Sequence, residues 1–307
     1  MAWALKALIG IVALFAGLVV VQQSRNSVSG SFAEKPTGAL RLATWNVHYV
    51  ILNQPEGRWG LSGWEERKGV MSSVFGMLDA DIVAFQEMES FSRGSDGSVN
   101  LARDWLLENH TEFAAAAKGP WQNFPPTQPI FYRTRILAPR DEGWFFFSDT
   151  PDRLYARGFD GATPSFASWV EFEHLESGKF FRVLNVHPDA KSRTNRRAAA
   201  KLIAERVRPW IDAGESVLLA GDLNALHGSF THRTIAEAGL NLPKVPGSTF
   251  HFGRGIHLFG AIDHIGGSEQ VQPLGRPQVL RRAVDGVFAS DHHPVVLDVV
   301  FADARMK

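Results

Sequence analysis

The chain of 307 residues predicts one large α/β domain behind an apolar N-terminal segment, and three observations carry that reading. Several apolar runs show no alternation, the mark of strands covered on both faces. Helical patterns interleave with those runs, which gives the order expected of an α/β domain rather than a sandwich of strands alone. With 45% hydrophobic residues the chain can bury one sizeable core, and no linker divides it into two.

At the N-terminus, residues 7–21 carry no charge; Lys6 precedes them, and Gln22, Gln23 and Arg25 come after. Residues 1–22 therefore read as an export signal or a transmembrane anchor. The positive charges of Lys6 and the N-terminal amine ahead of the segment place the rest of the chain outside the cytoplasm. Residues 23–38, rich in Ser, Gly and Gln, read as a tether, and residues 39–303 as the folded, catalytic domain. Within it strands are expected at 40–47, 81–86, 129–133, 165–172, 180–187, 216–221, 261–265 and 295–301, with helices at 64–78, 100–109, 194–211 and 229–238. The third helix has Ala199, Leu202, Ile203, Val207 and Trp210 on one face and Arg193, Arg196, Arg197, Lys201 and Arg208 on the other, an amphipathic pattern. Residues 124–129, 144–152 and 250–260 read as long loops of the kind that shape a substrate pocket. The aromatics Trp121, Phe124, Phe145 and Phe146 are expected to be exposed there, where they would suit a membrane substrate.

Composition removes several chemistries. Thirty-two basic residues balance 32 acidic ones, so no overall charge draws the chain to nucleic acid. With no cysteine there is no disulfide, no thiolate metal site and no thiol nucleophile. A metal must be held by oxygen or imidazole. Nothing in the sequence calls for an obligate protein partner.

The polar residues that end the apolar runs supply the chemistry. Gly221-Asp222-Leu223-Asn224 comes directly after Val217–Ala220; the glycine permits a sharp turn, and Asp222 and Asn224 project to one side. Asp222 is placed to take the proton of an attacking water, and Asn224 to steer that water or a phosphate oxygen. Asn46 and Glu87 each end a strand, and with Asp291 they offer two carboxylates and an amide oxygen, a donor set for Mg2+ or Mn2+ rather than zinc. A carboxylate such as Asp263 bonded to His292 fixes the imidazole's tautomer and raises its basicity. His187 reaches the same edge, where a protonated ring neutralises phosphate charge. His48, His264 and His293 are expected to be structural.

In order and spacing Trp45-Asn46, Gln86-Glu87, Asn185-Val186-His187, Gly221-Asp222-Leu223-Asn224, Ile262-Asp263 and Ser290-Asp291-His292-His293-Pro294 resemble the endonuclease/exonuclease/phosphatase superfamily, over about residues 40 to 301. Pro129–Arg133, Ser148–Pro151 and Thr249-Phe250-His251 further resemble a bacterial branch of it. The resemblance implies a DNase I-like four-layer α/β/β/α sandwich, two packed mixed sheets flanked by helices, with the site at one edge between them. It also implies that Glu87 binds the metal with Asn46 and Asp291 supporting it, that Asp222 activates water, that Asn224 and His187 contact the phosphate, and that Asp263 and His292 orient phosphate or nucleophile. Two departures lower the odds of an abasic-site nuclease: His48 stands where repair nucleases commonly carry Asp, and Pro188-Asp189-Ala190 lacks the branch's usual histidine. The expected function is a metal-dependent phosphodiesterase acting by in-line attack of water. Its substrate would be nucleic acid, a nucleotide derivative or a lipid head group. A phosphomonoesterase for an inositol, sugar or lipid phosphate is the alternative, with Arg193, Arg196 and Arg197 as its extra cations. A membrane-tethered binding protein that has lost its chemistry is disfavoured, because Glu87, Asp222 and His292 are all present.

Overall fold

The structure is a computed structural model that describes residues 2–27, 32–92 and 98–302. In chain order its elements are α1 (Ala2–Asn26), β1 (Leu40–Asn46), β2 (Val50–Ile51), α2 (Leu61–Leu78), β3 (Ile82–Gln86), β4 (Ser90–Phe91), α3 (Leu101–Asn109), β5 (Phe113–Ala116), β6 (Ile130–Arg133), β7 (Leu137–Phe146), β8 (Phe166–His174), β9 (Lys179–Val186), α4 (Arg193–Asp212), β10 (Ser216–Asp222), α5 (Phe230–Glu237), β11 (Asp263–Gly267), β12 (Val271–Pro273), β13 (Gln278–Val279) and β14 (Val295–Phe301).

Two mixed sheets form the body. One runs β12-β14-β1-β3-β6-β5 with β13 alongside β14, and the other runs β11-β10-β9-β8-β7. Leu42, Ile82 and Ala84 from the first sheet meet Val183, Leu218 and Ala220 from the second in the central core. The outer face of the first sheet packs Ala43, Val83 and Phe85 against Met71, Val74 and Phe75 of α2. The outer face of the second packs Leu184, Val217 and Leu219 against Ala199, Ile203 and Val207 of α4. The layers are helix, sheet, sheet, helix, as expected. Strands enclosed on both sides need unbroken apolar runs, and this is why β1, β3, β9 and β10 are legible in the sequence.

Helices α3, α4 and α5 start where side chains satisfy free amides. Asn100 accepts from the amide of Arg103, Ser192 from that of Asn195 and Ser229 from that of His232.

Some expectations need correction. Residues 144–152 are not wholly a loop, since Trp144–Phe146 complete β7. Its polar segment Pro139–Glu142 hid the strand, and that segment lies at the sheet edge where polar side chains are tolerated. Phe124, Phe145 and Phe146 are buried and only Trp121, at 42% exposure, faces solvent, so these aromatics do not form a membrane-seeking surface. The expected tether is shorter than 23–38, because nothing in Gln22–Asn26 breaks a helix and α1 runs on through Asn26. Residues 32–38 lie on the domain: the amide of Ala33 donates to Gln278, and Lys35 pairs with Asp81 at 2.8 Å.

Helix α1 is exposed along nearly all its length, with a mean hydropathy of 2.6 over its most apolar 18 residues. Its C-terminal end is bonded to the domain: Gln23 Nε2 donates to the Gly255 carbonyl at 3.1 Å, Ser27 Oγ lies 2.9 Å from His257 Nδ1, and the Ser248 amide donates to the Asn26 carbonyl at 2.9 Å.

Candidate active site

Each sheet delivers its site residues in the same way. In both, two central strands run parallel, β1 with β3 and β9 with β10, and an antiparallel strand flanks them, β14 or β11. Asn46 and Glu87 leave the C-terminal ends of β1 and β3; His187 and Asp222 leave those of β9 and β10. Asp291 and His292 precede β14, and Asp263 opens β11 opposite Asp222. All eight expected side chains therefore reach one edge of the sandwich.

Below that edge a buried polar ladder joins the sheets. Gln86 Nε2 donates to Thr44 Oγ1 at 3.1 Å and to Asn185 Oδ1 at 2.8 Å, and Asn185 Nδ2 donates to the Phe85 carbonyl at 2.7 Å. Buried amides bonded on several sides hold a rigid geometry. Above it the backbone is strained: His48, Glu87 and Asn224 adopt φ of 52°, 53° and 47°. Left-handed conformations cost about 1–3 kcal/mol each in residues other than glycine and concentrate at functional sites.

Asn46 is the hub. Its Nδ2 donates to Glu87 Oε1 at 3.0 Å and to Asp222 Oδ2 at 3.2 Å, while its Oδ1 accepts from the His48 amide. Asn46 thus orients both carboxylates with its NH2 and keeps its carbonyl turned to the backbone. His187 Nε2 lies 3.7 Å from Glu87 Oε1 and 3.7 Å from Asp222 Oδ2, and His292 Nε2 lies 3.8 Å from the same Asp222 oxygen. His292 Nδ1 meets Asp263 Oδ2 at 2.9 Å. Asn224 donates its Nδ2 to the Pro188 carbonyl and its amide to Asp222 Oδ1. Asp189 accepts from the amides of Lys191 and Ser192, which closes the turn ahead of α4.

Burial and charge divide the acids and bases. Burial opposes ionisation of Glu87, but His187, His48 and the Asn46 bond outweigh it and hold the carboxyl below its ordinary value. Burial and the neighbouring Asp263 raise Asp222 to about 6. For His292 burial favours the neutral ring, yet the charge and hydrogen bond of Asp263, helped by Asp222, push it up to about 10. At neutral pH the site holds ionised carboxylates around a protonated His292.

Asp222, Asp263 and His292 are close enough to surround an ion. A protonated imidazole has no lone pair to give a metal, so the oxygen donors at the Glu87 end suit a cation better. Glu87 and Asp291 are the carboxylates on that side of Asn46, and His48 Nε2 lies 4.0 Å from Asp291 Oδ2.

Two cavities border the edge. One of about 520 Å³ is lined by Asn224, Phe230 and the guanidinium-bearing Arg193, Arg196, Arg197 and Arg233. The other, about 640 Å³, is lined by Asp291, Arg58, Trp59, Phe250, Phe252 and Ile256. Arg193, Arg196 and Arg197 at the start of α4 thus share a cavity with Asn224.

Residues 43–304 match the model of the endonuclease/exonuclease/phosphatase family. The chain belongs to that family. Its members are hydrolases of phosphoester bonds and generally depend on a divalent metal. Solved structures repeat the fold. An endonuclease/exonuclease/phosphatase family protein from Bacteroides thetaiotaomicron is 23% identical over 88% of this chain and 99% of its own, with a TM-score of 0.72. A mannosyl-6-phosphatase from the same organism is 23% identical over 85% of this chain and 100% of its own, at 0.70. Sphingomyelinase C from Streptomyces griseocarneus is 16% identical over 87% of this chain and 100% of its own, at 0.61. These identities speak for the fold alone. No curated protein matches the chain in sequence.

Several residues that shape this site carry no sequence signal of their own. His48 lies between Asp291 and Glu87 and stacks on Trp59 with ring centroids 3.6 Å apart. Buried Arg67 donates to the carbonyls of Val47, Ala289, His48 and Tyr49. It ties the segment after β1 to the segment before β14, and so fixes the two approaches to the site. On a helix pattern it reads as an ordinary solvated arginine.

Proposed function

We propose that the protein is a divalent-metal-dependent phosphodiesterase, with Mg2+ or Mn2+ held by Glu87 and Asp291 and positioned by Asn46. The observation that carries the proposal is buried Asp222, 3.8 Å from the Nε2 of a His292 whose Nδ1 meets Asp263 at 2.9 Å; burial raises Asp222 to about 6, and Asp263 pushes His292 up to about 10. A carboxylate in that range accepts a proton from water far better than an ordinary aspartate, and a fixed imidazolium beside it stabilises charge building on phosphoryl oxygens. His187, within 3.7 Å of both carboxylates, contacts the scissile phosphate, and Asp263 holds His292 in its tautomer. The metal ion would supply Lewis-acid stabilisation of the developing oxyanion. Asn224 is held by Pro188 at the mouth of the arginine cavity and orients the phosphate.

A diester presents a group on each side of phosphorus, and cavities border this edge at both Asn224 and Asp291. One is cationic and the other largely aromatic, which suits a nucleotide derivative or a phospholipid head group better than a long nucleic acid. The four arginines also favour a second reading, a phosphomonoesterase for a sugar, inositol or lipid phosphate, the class of the mannosyl-6-phosphatase that shares this fold.

Helix α1 would anchor the protein in a membrane with the domain outside the cytoplasm. Its polar end is bonded to Gly255 and His257, and Phe252, Ile256 and Phe259 on that loop are 39%, 37% and 55% exposed. This arrangement would hold the aromatic cavity at the bilayer surface, where a lipid phosphoester is presented.

Hydrolysis of bis-p-nitrophenyl phosphate and p-nitrophenyl phosphate by the full-length chain in detergent tests the reading. Diester turnover with Mg2+ or Mn2+ that is lost with EDTA and with Asp222→Asn is the expected result. Turnover of the monoester alone selects the second reading, and turnover that survives both chelator and substitution refutes the mechanism.

A further inference from the structure

We propose that His227, His232 and His264 form a second cation site, for a borderline transition ion of the zinc class, on the face of the second sheet turned away from the catalytic edge. None of the three belongs to the phosphoesterase site. His264 comes after Asp263 on β11, and alternation along a strand sends its side chain to the other face. His232 lies in the first turn of α5, and His227 in the loop between β10 and α5.

The three rings converge. Ring centroids of His227 and His232 are 4.2 Å apart, those of His232 and His264 are 5.2 Å apart, and one nitrogen from each residue falls within 4.8 Å of the others. The protonation pattern is then decided by the backbone. His232 Nε2 lies 3.2 Å from the Leu242 carbonyl and His264 Nε2 lies 2.8 Å from the Ala225 carbonyl. A carbonyl only accepts, so each Nε2 carries the hydrogen and each Nδ1 carries a lone pair. Both Nδ1 atoms are buried and without a hydrogen-bond partner. An unsatisfied buried acceptor costs about 1–3 kcal/mol, and here two are gathered beside a third imidazole.

A cation satisfies all of these groups together. A ligating histidine almost always gives its other N–H to a carbonyl or carboxylate, which fixes its tautomer and aims its lone pair. Both buried rings already have that support. Burial favours the neutral ring in each, and holds His264 down at about 4, so ligation need not wait for a proton to leave. A donor set of three imidazoles without carboxylate suits zinc and disfavours Mg2+, which demands oxygen. Tetrahedral bonds of about 2.0–2.1 Å require nitrogens about 3.3 Å apart. The three nitrogens, within 4.8 Å of one another, must therefore close by up to about 1.5 Å, and exposed His227 is the ring with most room to move. The fourth position is left to water, as His227 borders the open groove beside α5. A bound ion would clamp the loop after Asn224 to the strand that opens with Asp263.

Binding of Zn2+ to the full-length chain in detergent, after chelator dialysis, is measured by calorimetry, with Co2+ as an optical probe. Three proteins are compared: the wild type, His227→Ala and Glu87→Gln. The proposal expects one Zn2+ site that survives Glu87→Gln and weakens by at least on the order of 100-fold in His227→Ala. It also expects tetrahedral Co2+ absorption that Zn2+ displaces, and a Zn2+-induced rise in melting temperature that persists in Glu87→Gln and is smaller in His227→Ala. His227 is exposed, so its variant keeps the fold, which far-UV circular dichroism confirms. Zn2+ affinity unchanged in His227→Ala, or abolished by Glu87→Gln, overturns the proposal, as does Co2+ absorption in Glu87→Gln that has octahedral intensity only.

Discussion

Replacing Asp263 with Asn isolates what the buried carboxylate does for His292. The wild-type imidazole is raised from 6.5 to about 10 although burial acts the other way. At 1.36 kcal/mol per pH unit this is about 5 kcal/mol of proton affinity, and Asp263 is the largest contributor in its favour. Asn keeps the size and the oxygen acceptor for Nδ1–H but removes the charge, leaving Asp222, 3.8 Å away, to oppose desolvation. The imidazole of the variant should therefore be neutral by about pH 8, and kcat/KM at that pH should fall on the order of 10²- to 10⁴-fold. The His292 resonances of isotope-labelled protein, tracked with pH beside the pH–rate profile, measure both effects. The group's folded-state value lies above its ordinary one. Its contribution to stability is thus complete below pH 6.5 and is lost as pH rises through about 10. In Asp263→Asn that loss should move to lower pH in urea melts, reduced in size because Asp222 is also relieved of its neighbour. A His292 still protonated at pH 9 in the variant, or an alkaline limb that does not move, refutes the assignment.

Three further outcomes are expected. Because Asp222 must be ionised to accept a proton and is raised to about 6, the metal-loaded rate should fall as pH drops through 6 or somewhat below, and a profile flat to pH 4 would exclude it as the base. Arg67→Met leaves four backbone carbonyls without their donor, so urea unfolding should show a loss of about 3–5 kcal/mol. Arg197 lines the cavity beside Asn224 and lies over the Phe230 ring at 4.8 Å; Arg197→Ala should raise KM about tenfold for substrates bearing a second anionic group, with kcat little changed.

The fold and site were legible where burial leaves one sequence solution. Strands covered on both faces must be apolar throughout, and a polar residue directly after such a run, as at Asn46, Glu87 or Asp222, has to emerge at an edge. Asn46, Glu87, His187 and Asp222 reach the edge for that reason, and Asp263, Asp291 and His292 reach it by opening or preceding antiparallel strands. Elements on the periphery obey weaker rules. Phe113–Ala116 is an edge strand of small residues, and Leu137–Phe146 interrupts its apolar pattern with Pro139, Arg140, Asp141 and Glu142 because they lie on the outermost strand. Convergence of distant residues is harder still to read. His227, His232 and His264 look like isolated histidines until α5 and β11 are packed side by side, and Arg67 looks solvated until its helix is placed over the β1 exit. Such pairings depend on the order of the strands rather than on any local pattern.

The two sheets share one arrangement, and this explains why a phosphate site forms between them. In each, a parallel pair ends where its antiparallel flank begins, so three strand ends converge at one place: β1, β3 and β14 in the first sheet, and β10, β9 and β11 in the second. Packed face to face, they set Asn46, Glu87 and His292 against Asp222, His187 and Asp263. Three of the contacts cross the interface: Asn46 bonds Asp222, His187 faces Glu87, and His292 bonds Asp263. The Gln86–Asn185 bond just below fixes the sheets' relative position at the level of the site, since a slip there would strand buried amides without partners. Within the second sheet Gly221 marks a close approach of β10 to β9, where a methyl group would lie 2.0 Å from the Val186 carbonyl oxygen. Gly221→Ala must therefore push β10 from β9 and carry Asp222 out of reach of Asn46. A crystal structure of an active Gly221→Ala enzyme with the Asn46–Asp222 contact intact would contradict this account of how the site is built.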